Sequence, residues 1–258
     1  MDRWGSDTTI GPAARAFFCV ALALSILSVA ARPAAASAAS RPLAAHQATA
    51  PLPQRMTSTL DALQLIVVTG TRLGIRQGTL RLYDDVGGAW VQSLQAPARF
   101  GRKGLTDGLT RHEGSGTTPT GIWRMAQFAF GRHSAAPAGC TLAWRRIRQT
   151  SWWSSEHDAT YNTWVETRHP IDGEHLIAIG APYEYALHTG YNALPNERVV
   201  GRGSAIFIHV MHAGYSSGCV MLARADMIAL LRLLHSGQRL SCAIGTTRAG
   251  TATSITAY

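Results

Sequence analysis

The sequence contains almost no lysine and few acidic residues. Only Lys103 among the 24 Lys and Arg residues is a lysine, and 15 Asp and Glu residues leave a formal net charge of +9. No predicted helix is basic along one face with aromatic residues interleaved, so the sequence gives no indication of nucleic-acid binding. The excess of arginine instead favours loose association with an anionic polymer.

Two common kinds of ligand site are also missing. Residues 114–121, GSGTTPTG, are like a phosphate loop but lack its Gly-Lys-Ser/Thr ending and the helix that follows. The histidines show no metal-ligand spacing, since His209 and His212 are three apart on a predicted strand with no carboxylate close in sequence. We therefore expect no nucleotide, no metal and no other cofactor.

Long hydrophobic runs are absent except near the N-terminus. Residues 16–30, AFFCVALALSILSVA, follow Arg3 and Arg15 and precede a small-residue stretch, AARPAAASAAS. This order is typical of a secretory signal peptide, and the run falls short of the ~20 residues of a membrane span. We predict a signal peptide over 1–38 cleaved near Ala38, a Pro/Ala/Thr-rich flexible spacer over 39–60 and one domain over 61–258. An uncleaved N-terminal membrane anchor is the alternative.

Export would place the mature protein in the periplasm, the cell wall or the extracellular space, where an acidic cell envelope suits its charge. We expect a monomer. The sequence has four cysteines, and Cys19 would leave with the signal peptide. An odd number outside the cytosol predicts one disulfide and one free thiol. We predict a Cys140–Cys242 bridge with Cys219 free, and three unpaired buried thiols are the alternative.

The rest of the chain is predicted to be mainly β with one prominent α-helix. Strands are predicted in 64–70, in a hairpin around Gly87 and Gly88, and in 121–131, "HLIAIG", "YEYALHTGYN", 203–211 and 238–245. Residues 132–175 lack sustained periodicity and are predicted to be a long loop region. In 223–237, Met227, Leu230 and Leu234 belong to one apolar helical face, and Gly237 ends the helix.

Residues 207–222, FIHVMHAGYSSGCVML, contain the clearest catalytic candidates. Alternation along a strand puts His209 alone among apolar residues on its face, and a turn with a returning strand could bring Cys219 beside it. An imidazole at that distance can take the thiol proton and leave a nucleophile. The small residues Ser216, Ser217 and Gly218 could expose N–H groups as an oxyanion site. A structural Gly/Ser-rich turn beside a buried cysteine explains the same pattern without catalysis.

Three further residues are weaker candidates. His212 is the rival base, although strand alternation puts it opposite His209 unless the strand ends at Met211. His188 could position a catalytic side chain without contacting the substrate, or it could have only a structural role on a strand. Arg224, at the start of the predicted helical segment, could meet a substrate carboxylate.

Five segments in order, TTPTGIW (117–123), YN (161–162), YEYALHTGYN (183–192), GSAIFIHV (203–210) and SSGCVML (216–222), resemble the YkuD-type L,D-transpeptidase catalytic domain, in particular its short-loop exported branch. The resemblance covers roughly residues 60 to 246. It implies a mostly β, sandwich-like fold, with the catalytic cysteine at Cys219 and the histidine base at His209. It also implies peptidoglycan stem peptides as donor and acceptor, joined through a thioester acyl-enzyme, or hydrolysed in an L,D-carboxypeptidase.

The chain departs from the family pattern at three points. Ser217 stands where histidine is common, Met221 stands where a polar or cationic residue is common, and the His-to-Cys spacing is short. These departures bear on donor recognition more than on thiol chemistry. A papain-like endopeptidase would place its cysteine before its histidine, so the chain order argues against it. A non-catalytic envelope-binding domain using the Trp-rich segment 144–164 is the other alternative.

Overall fold

The computed structural model describes residues 51–247. It contains fourteen strands, two short 3₁₀ segments and two α-helices. The strands are β1 (Gln64–Gly70), β2 (Gln77–Val86), β3 (Ala89–Arg99), β4 (Leu105–Asp107), β5 (Thr118–Arg124), β6 (Phe128–Gly131), β7 (Ala143–Arg146), β8 (Ser151–Ser154), β9 (Trp164–Glu166), β10 (Gly173–His175), β11 (Ala186–His188), β12 (Phe207–Val210), β13 (Val220–Leu222) and β14 (Leu240–Thr246). The helices are α1 (Leu176–Ile179) and α2 (Arg224–Leu233), and the 3₁₀ segments are Leu52–Arg55 and Ala181–Glu184.

Eleven of the strands form one mixed sheet. Its order is β4-β5-β14-β1-β2-β3-β13-β12-β11-β6-β7, and β10-β8-β9 form a second, small sheet. The predicted hairpin joins β2 to β3 through Gly87 and Gly88, whose φ values of 63° and 88° suit a two-residue turn that only glycine adopts freely. The mainly β architecture predicted from the sequence is therefore confirmed.

Apolar residues on both faces of the central strands are buried. Ile66 and Val68 of β1 belong to the main core cluster, and Leu65 and Val67 on the opposite face belong to a smaller one. Helix α2 packs on the main cluster through the apolar stripe predicted for it, with Met227 and its neighbours fully buried. Burial of this kind contributes about 25 cal/mol per Å² of apolar surface.

The predictions for residues 132–180 were wrong in two respects. Residues 132–175, predicted as a loop region, contain β7 to β10, and the predicted strand HLIAIG forms the single helical turn α1. Strands of three or four residues are too short to show an alternating pattern, and a short apolar run fits a strand or a helix equally. Trp153 of β8 is 3% exposed and stacks on Phe130, so the small sheet is anchored by aromatic packing.

The predicted disulfide is wrong, because Cys140 and Cys242 are both free thiols. Cys242 is fully buried in the middle of β14, beside Ile66 of β1 and Trp123 of β5. Cys140 lies in the loop before β7 and packs against the same core cluster. Both thiols therefore serve as small apolar side chains, and all three cysteines within residues 51–247 are unpaired.

The signal peptide and most of the spacer predicted for residues 1–50 lie outside the described residues, as does the end of the predicted domain after residue 247. Residues 51–60 are described and pack against the domain, because Leu52 is 7% exposed and joins the cluster that covers β1. That part of the predicted spacer is therefore ordered. Neither helix within 51–247 has the length and apolar character needed to cross a bilayer.

Candidate active site

Parallel pairing of β12 with β13 brings Cys219 close to His209. Ile208 is the register partner of Val220, so Cys219, one residue earlier, lies beside Phe207, whose N–H donates to Sγ at 3.3 Å. Cys219 and His209 then lie on the same face of the sheet, because Cys219 is beside Phe207, two residues before His209 in β12. The sequence predicted this proximity through a returning strand, whereas the strand after the turn runs parallel.

The two side chains open into one cavity of about 480 Å³. Residues 215–219 and both His209 and His212 line it, and the small sheet contributes Gly173 and Glu174 of β10. A pocket of this size is within the range of small-ligand and peptide sites.

His209 is set up as a neutral base. Its side chain is 3% exposed, and its Nδ1 lies 2.9 Å from the Val210 carbonyl oxygen, which assigns the proton to Nδ1 and leaves Nε2 as the acceptor. Burial lowers the pKa of His209 to about 4, against the opposing effect of the Val210 hydrogen bond. Near neutral pH the ring is therefore uncharged and can accept a proton.

Cys219 rests as a protonated thiol. It is 6% exposed, and its S–H donates to the Ala205 carbonyl oxygen at 3.2 Å. Burial and then the charge of Glu174 raise the pKa of Cys219 to about 12, while the Phe207 N–H and the Arg111 guanidinium oppose the rise. The Phe207 N–H and Arg111 are thus positioned to stabilise a thiolate once it forms.

His212 lies in the same cavity as His209. Strand β12 ends at Val210, so the alternation that separated the two histidines does not reach residue 212. Their rings are nearly parallel with centroids 6.0 Å apart, and His212 Nδ1 lies 2.7 Å from the Ala213 oxygen. Both histidines can therefore reach the cavity, and His209 is the one on the cysteine's own sheet face.

The loop before Cys219 is held by internal hydrogen bonds. Ser216 Oγ donates to the Cys219 carbonyl at 2.6 Å and accepts from the Gly218 N–H at 3.2 Å. Thr118 Oγ1 donates to the Gly218 carbonyl at 2.7 Å. A side chain at Gly218 would place its Cβ 2.9 Å from the Thr117 oxygen, so only glycine fits. Because the Gly218 N–H already has a partner, its predicted oxyanion role stays a prediction.

Ser217 differs from its two neighbours because it is exposed. Its Oγ accepts a hydrogen bond from Arg102 Nη1 at 3.2 Å, and the residue lines the cavity. Ser217 therefore sits at the rim, where it could contact a bound molecule but does not fix the loop.

Arg111 is a charged cavity residue that sequence analysis missed. It is 6% exposed, and it donates from Nε to the Thr117 oxygen at 2.9 Å and from Nη1 to the Arg202 oxygen at 3.3 Å. It forms no ion pair within residues 51–247. A buried guanidinium without a carboxylate is costly, and here it adds positive potential next to the thiol. No motif or spacing in the sequence marked it as a candidate.

Three carboxylates also line the cavity and were not among the candidates found in the sequence. They are Glu113, Asp172 and Glu174. Tyr161 Oη and Ser204 Oγ donate to the two oxygens of Glu113 at 2.6 and 3.0 Å. No cluster of His, Cys, Asp and Glu within the described residues is arranged to hold a metal ion.

Residues 75–247 match the family model YkuD, the L,D-transpeptidase catalytic domain. The chain belongs to the YkuD family. No curated protein matches it. The matched range includes Cys219, His209 and nearly every other residue of the cavity, and it confirms the resemblance predicted from the sequence.

Met221, where the chain departs from the family pattern, lies in the core of this YkuD domain. Met221 is fully buried and is the register partner of His209 and Arg99. It therefore cannot contact substrate, whereas Ser217 at the rim can.

Two sequence candidates lie away from the cavity. His188 is 3% exposed and stacks on Trp153, with ring centroids 4.8 Å apart, and it does not line the cavity. Arg224 forms a bidentate pair with Glu184, from Nε to Oε2 at 2.7 Å and from Nη2 to Oε1 at 2.5 Å. In the structure His188 therefore packs against an aromatic side chain, and Arg224 forms an ion pair.

Proposed function

We propose that the protein is an exported cysteine L,D-transpeptidase that acts on peptidoglycan stem peptides. The observation that carries the proposal is the pairing of Cys219 and His209 on one sheet face, in one cavity, inside a YkuD domain. The family supports the reaction class, and the geometry supports Cys219 as the nucleophile and His209, with an available Nε2, as the base.

Acylation would begin with both groups neutral. His209 Nε2 takes the thiol proton as Cys219 Sγ attacks the carbonyl carbon of the third stem residue. The bond to the terminal D-alanine breaks, its nitrogen receives the proton from His209, and a thioester remains. The Phe207 N–H and Arg111 favour the charge that develops on sulfur.

Transfer would follow when an amine of a neighbouring stem peptide attacks the thioester. Water in place of the amine would give L,D-carboxypeptidase activity with the same two residues. The predicted N-terminal signal peptide supports a location outside the cytosol, in the periplasm or cell wall, where the net positive charge of the chain would favour association with an anionic envelope.

Acylation is testable by intact-protein mass spectrometry. We expect one covalent adduct on the wild type after incubation with a tetrapeptide donor or a carbapenem, and none on Cys219→Ala. Cys242→Ala is the matched control, since that thiol is fully buried in the core. We expect the folded Cys242→Ala variant to form the same adduct as the wild type.

Two outcomes would contradict the proposal. The first is no adduct on the folded wild type with either reagent. The second is an equal adduct on Cys219→Ala, which would move the nucleophile elsewhere. A non-catalytic envelope-binding domain would bind peptidoglycan equally well with and without the Cys219 thiol.

A further inference from the structure

Glu174 lines the cavity, and within residues 51–247 only one of its two carboxylate oxygens receives a hydrogen bond. Tyr183 Oη donates to Glu174 Oε2 at 2.5 Å, and Glu174 Oε1 has no hydrogen-bond partner within residues 51–247. The Tyr183 ring meets the His209 ring edge-on, with centroids 5.4 Å apart. Tyr183 therefore lies between Glu174 and His209. It donates a hydrogen bond to the carboxylate and packs against the imidazole.

The other two cavity carboxylates are less suited to proton transfer. Both oxygens of Glu113 receive hydrogen bonds, from Tyr161 and Ser204. Asp172 is exposed to solvent. Glu174 alone combines a partly buried position with an oxygen that has no assigned partner.

We propose that Glu174 is the catalytic residue that deprotonates the acceptor amine in the transfer step. The inference rests on the proposed transpeptidase function and assigns a second base to the same site. Amines of stem peptides are mostly protonated near neutral pH, and an ammonium group cannot attack a thioester. His209 can serve the thiol, but the incoming ammonium has one proton more to lose.

The step balances in atoms and charge. The acceptor ammonium gives one proton to the Glu174 carboxylate, and its nitrogen then bonds to the thioester carbonyl carbon. The carbon–sulfur bond breaks, and a second amine proton passes through His209 to the Cys219 sulfur. The products are the amide, the free thiol and protonated Glu174, which loses its proton to water before the next turnover.

The electrostatics of the site agree with this role. Burial, and to a smaller extent the charge of Glu113, raises the pKa of Glu174 to about 7, although the Tyr183 hydrogen bond opposes the rise. A base is most effective when its pKa lies near the working pH. Glu174 and Cys219 line the same cavity, and the charge of Glu174 contributes to the raised pKa of the Cys219 thiol.

The test compares two acceptors on the same acyl-enzyme. Glu174→Gln keeps an acceptor for Tyr183 but cannot take a proton. The purified full chain is given a tetrapeptide donor and either an alkyl amine, which is protonated near neutral pH, or hydroxylamine, which is largely neutral there. We expect transfer to the alkyl amine to fall about a hundredfold or more relative to transfer to hydroxylamine.

The matched control is Glu156→Gln, which removes a carboxylate that accepts from the Asp172 N–H and does not line the cavity. Its ratio of the two transfer rates should equal that of the wild type. If circular dichroism shows that Glu174→Gln is unfolded, Glu174→Asp, which withdraws the carboxylate by one methylene, must lower the ratio instead.

The two proposals fail separately. An unchanged ratio in a folded, acylated Glu174 variant would overturn the role of Glu174 and leave the transpeptidase proposal standing. A wild type that forms no Cys219 acyl-enzyme would overturn the proposed function itself.

Discussion

At the scale of single residues, the site pairs a neutral thiol with a neutral imidazole. The pKa of Cys219 is raised to about 12 and that of His209 is lowered to about 4, both mainly by burial. Because the thiol holds its proton far more tightly than the imidazole would, no ion pair forms in the resting protein. The proton must move as the substrate carbonyl is attacked.

This arrangement predicts how the acylation rate depends on His209 and on pH. His209→Ala should slow β-lactam acylation of Cys219 by about 10²–10⁴-fold, whereas the matched His212→Ala should change it little. In the wild type, His209 must be neutral to act, so its contribution should persist as the pH falls from neutrality and be lost below about pH 4.

Time-resolved mass spectrometry of the adduct at several pH values measures both effects. A larger loss in His212→Ala than in His209→Ala would reassign the base to His212, which lies in the same cavity.

At the scale of elements, the long strands and α2 were predictable because each is long enough to show its period. Strand β1 and helix α2 occupy almost the positions predicted for them. The short strands β8 to β10 were not predictable. Glu174 was therefore not identified as a site residue, because its position depends on the pairing of β10 with β8. Cys219 and His209 were found because they lie close in sequence. Arg111 and Glu174 reach the site only through tertiary packing.

Asn162 joins the small sheet to the segment that precedes β12. Its Oδ1 accepts from Trp153 Nε1 at 2.7 Å and from the Ala205 N–H at 2.9 Å. Its Nδ2 donates to the carbonyls of Tyr191 and Asn192 at 3.0 and 2.8 Å. Since the Ala205 carbonyl in turn accepts from the Cys219 thiol, Asn162 also helps to position the proposed nucleophile.

Removing this side chain should therefore affect both stability and acylation. Asn162→Ala would leave four buried polar groups without partners, and we expect a loss on the order of 3 kcal/mol in the free energy of unfolding. Urea denaturation measures that loss, and adduct formation measures the slower acylation. Thr163→Ala, which removes one hydrogen bond to the Thr160 carbonyl, should cost about 1 kcal/mol. Equal losses in the two variants would argue against the joining role.

At the scale of the whole molecule, buried titratable groups make stability depend on pH. Burial lowers the pKa of His188 to about 3 and that of His209 to about 4, against about 6.5 in an unfolded chain. The unfolded state then binds more protons below about pH 6.5, so stability falls with falling pH. Glu174, with its pKa raised to about 7, acts in the opposite direction and partly offsets the fall above about pH 4.5, where an unfolded carboxyl titrates.

His188→Asn should reduce this acid sensitivity. Asparagine can keep an acceptor for the Gly190 N–H, which bonds to His188 Nδ1 at 3.1 Å, but it does not titrate. We expect the slope of the free energy of unfolding against pH between about 6.5 and 4 to decrease by about one proton, or about 1.4 kcal/mol per pH unit. Urea denaturation across that range measures the slope.

Thr189→Ser is the control, because it perturbs the next buried position without removing a titrating group. If His188→Asn left the slope equal to that of this control, the buried imidazole would not be the origin of the acid sensitivity.

The burial of Cys219 has a consequence for chemical survival. Thiolates attack peroxides and disulfides, and sulfenic acid forms fastest on exposed cysteines of low pKa. A thiol that is 6% exposed with its pKa raised to about 12 presents almost no thiolate to such reagents. In the oxidising surroundings proposed for this protein, an unpaired thiol of this kind should therefore be oxidised slowly.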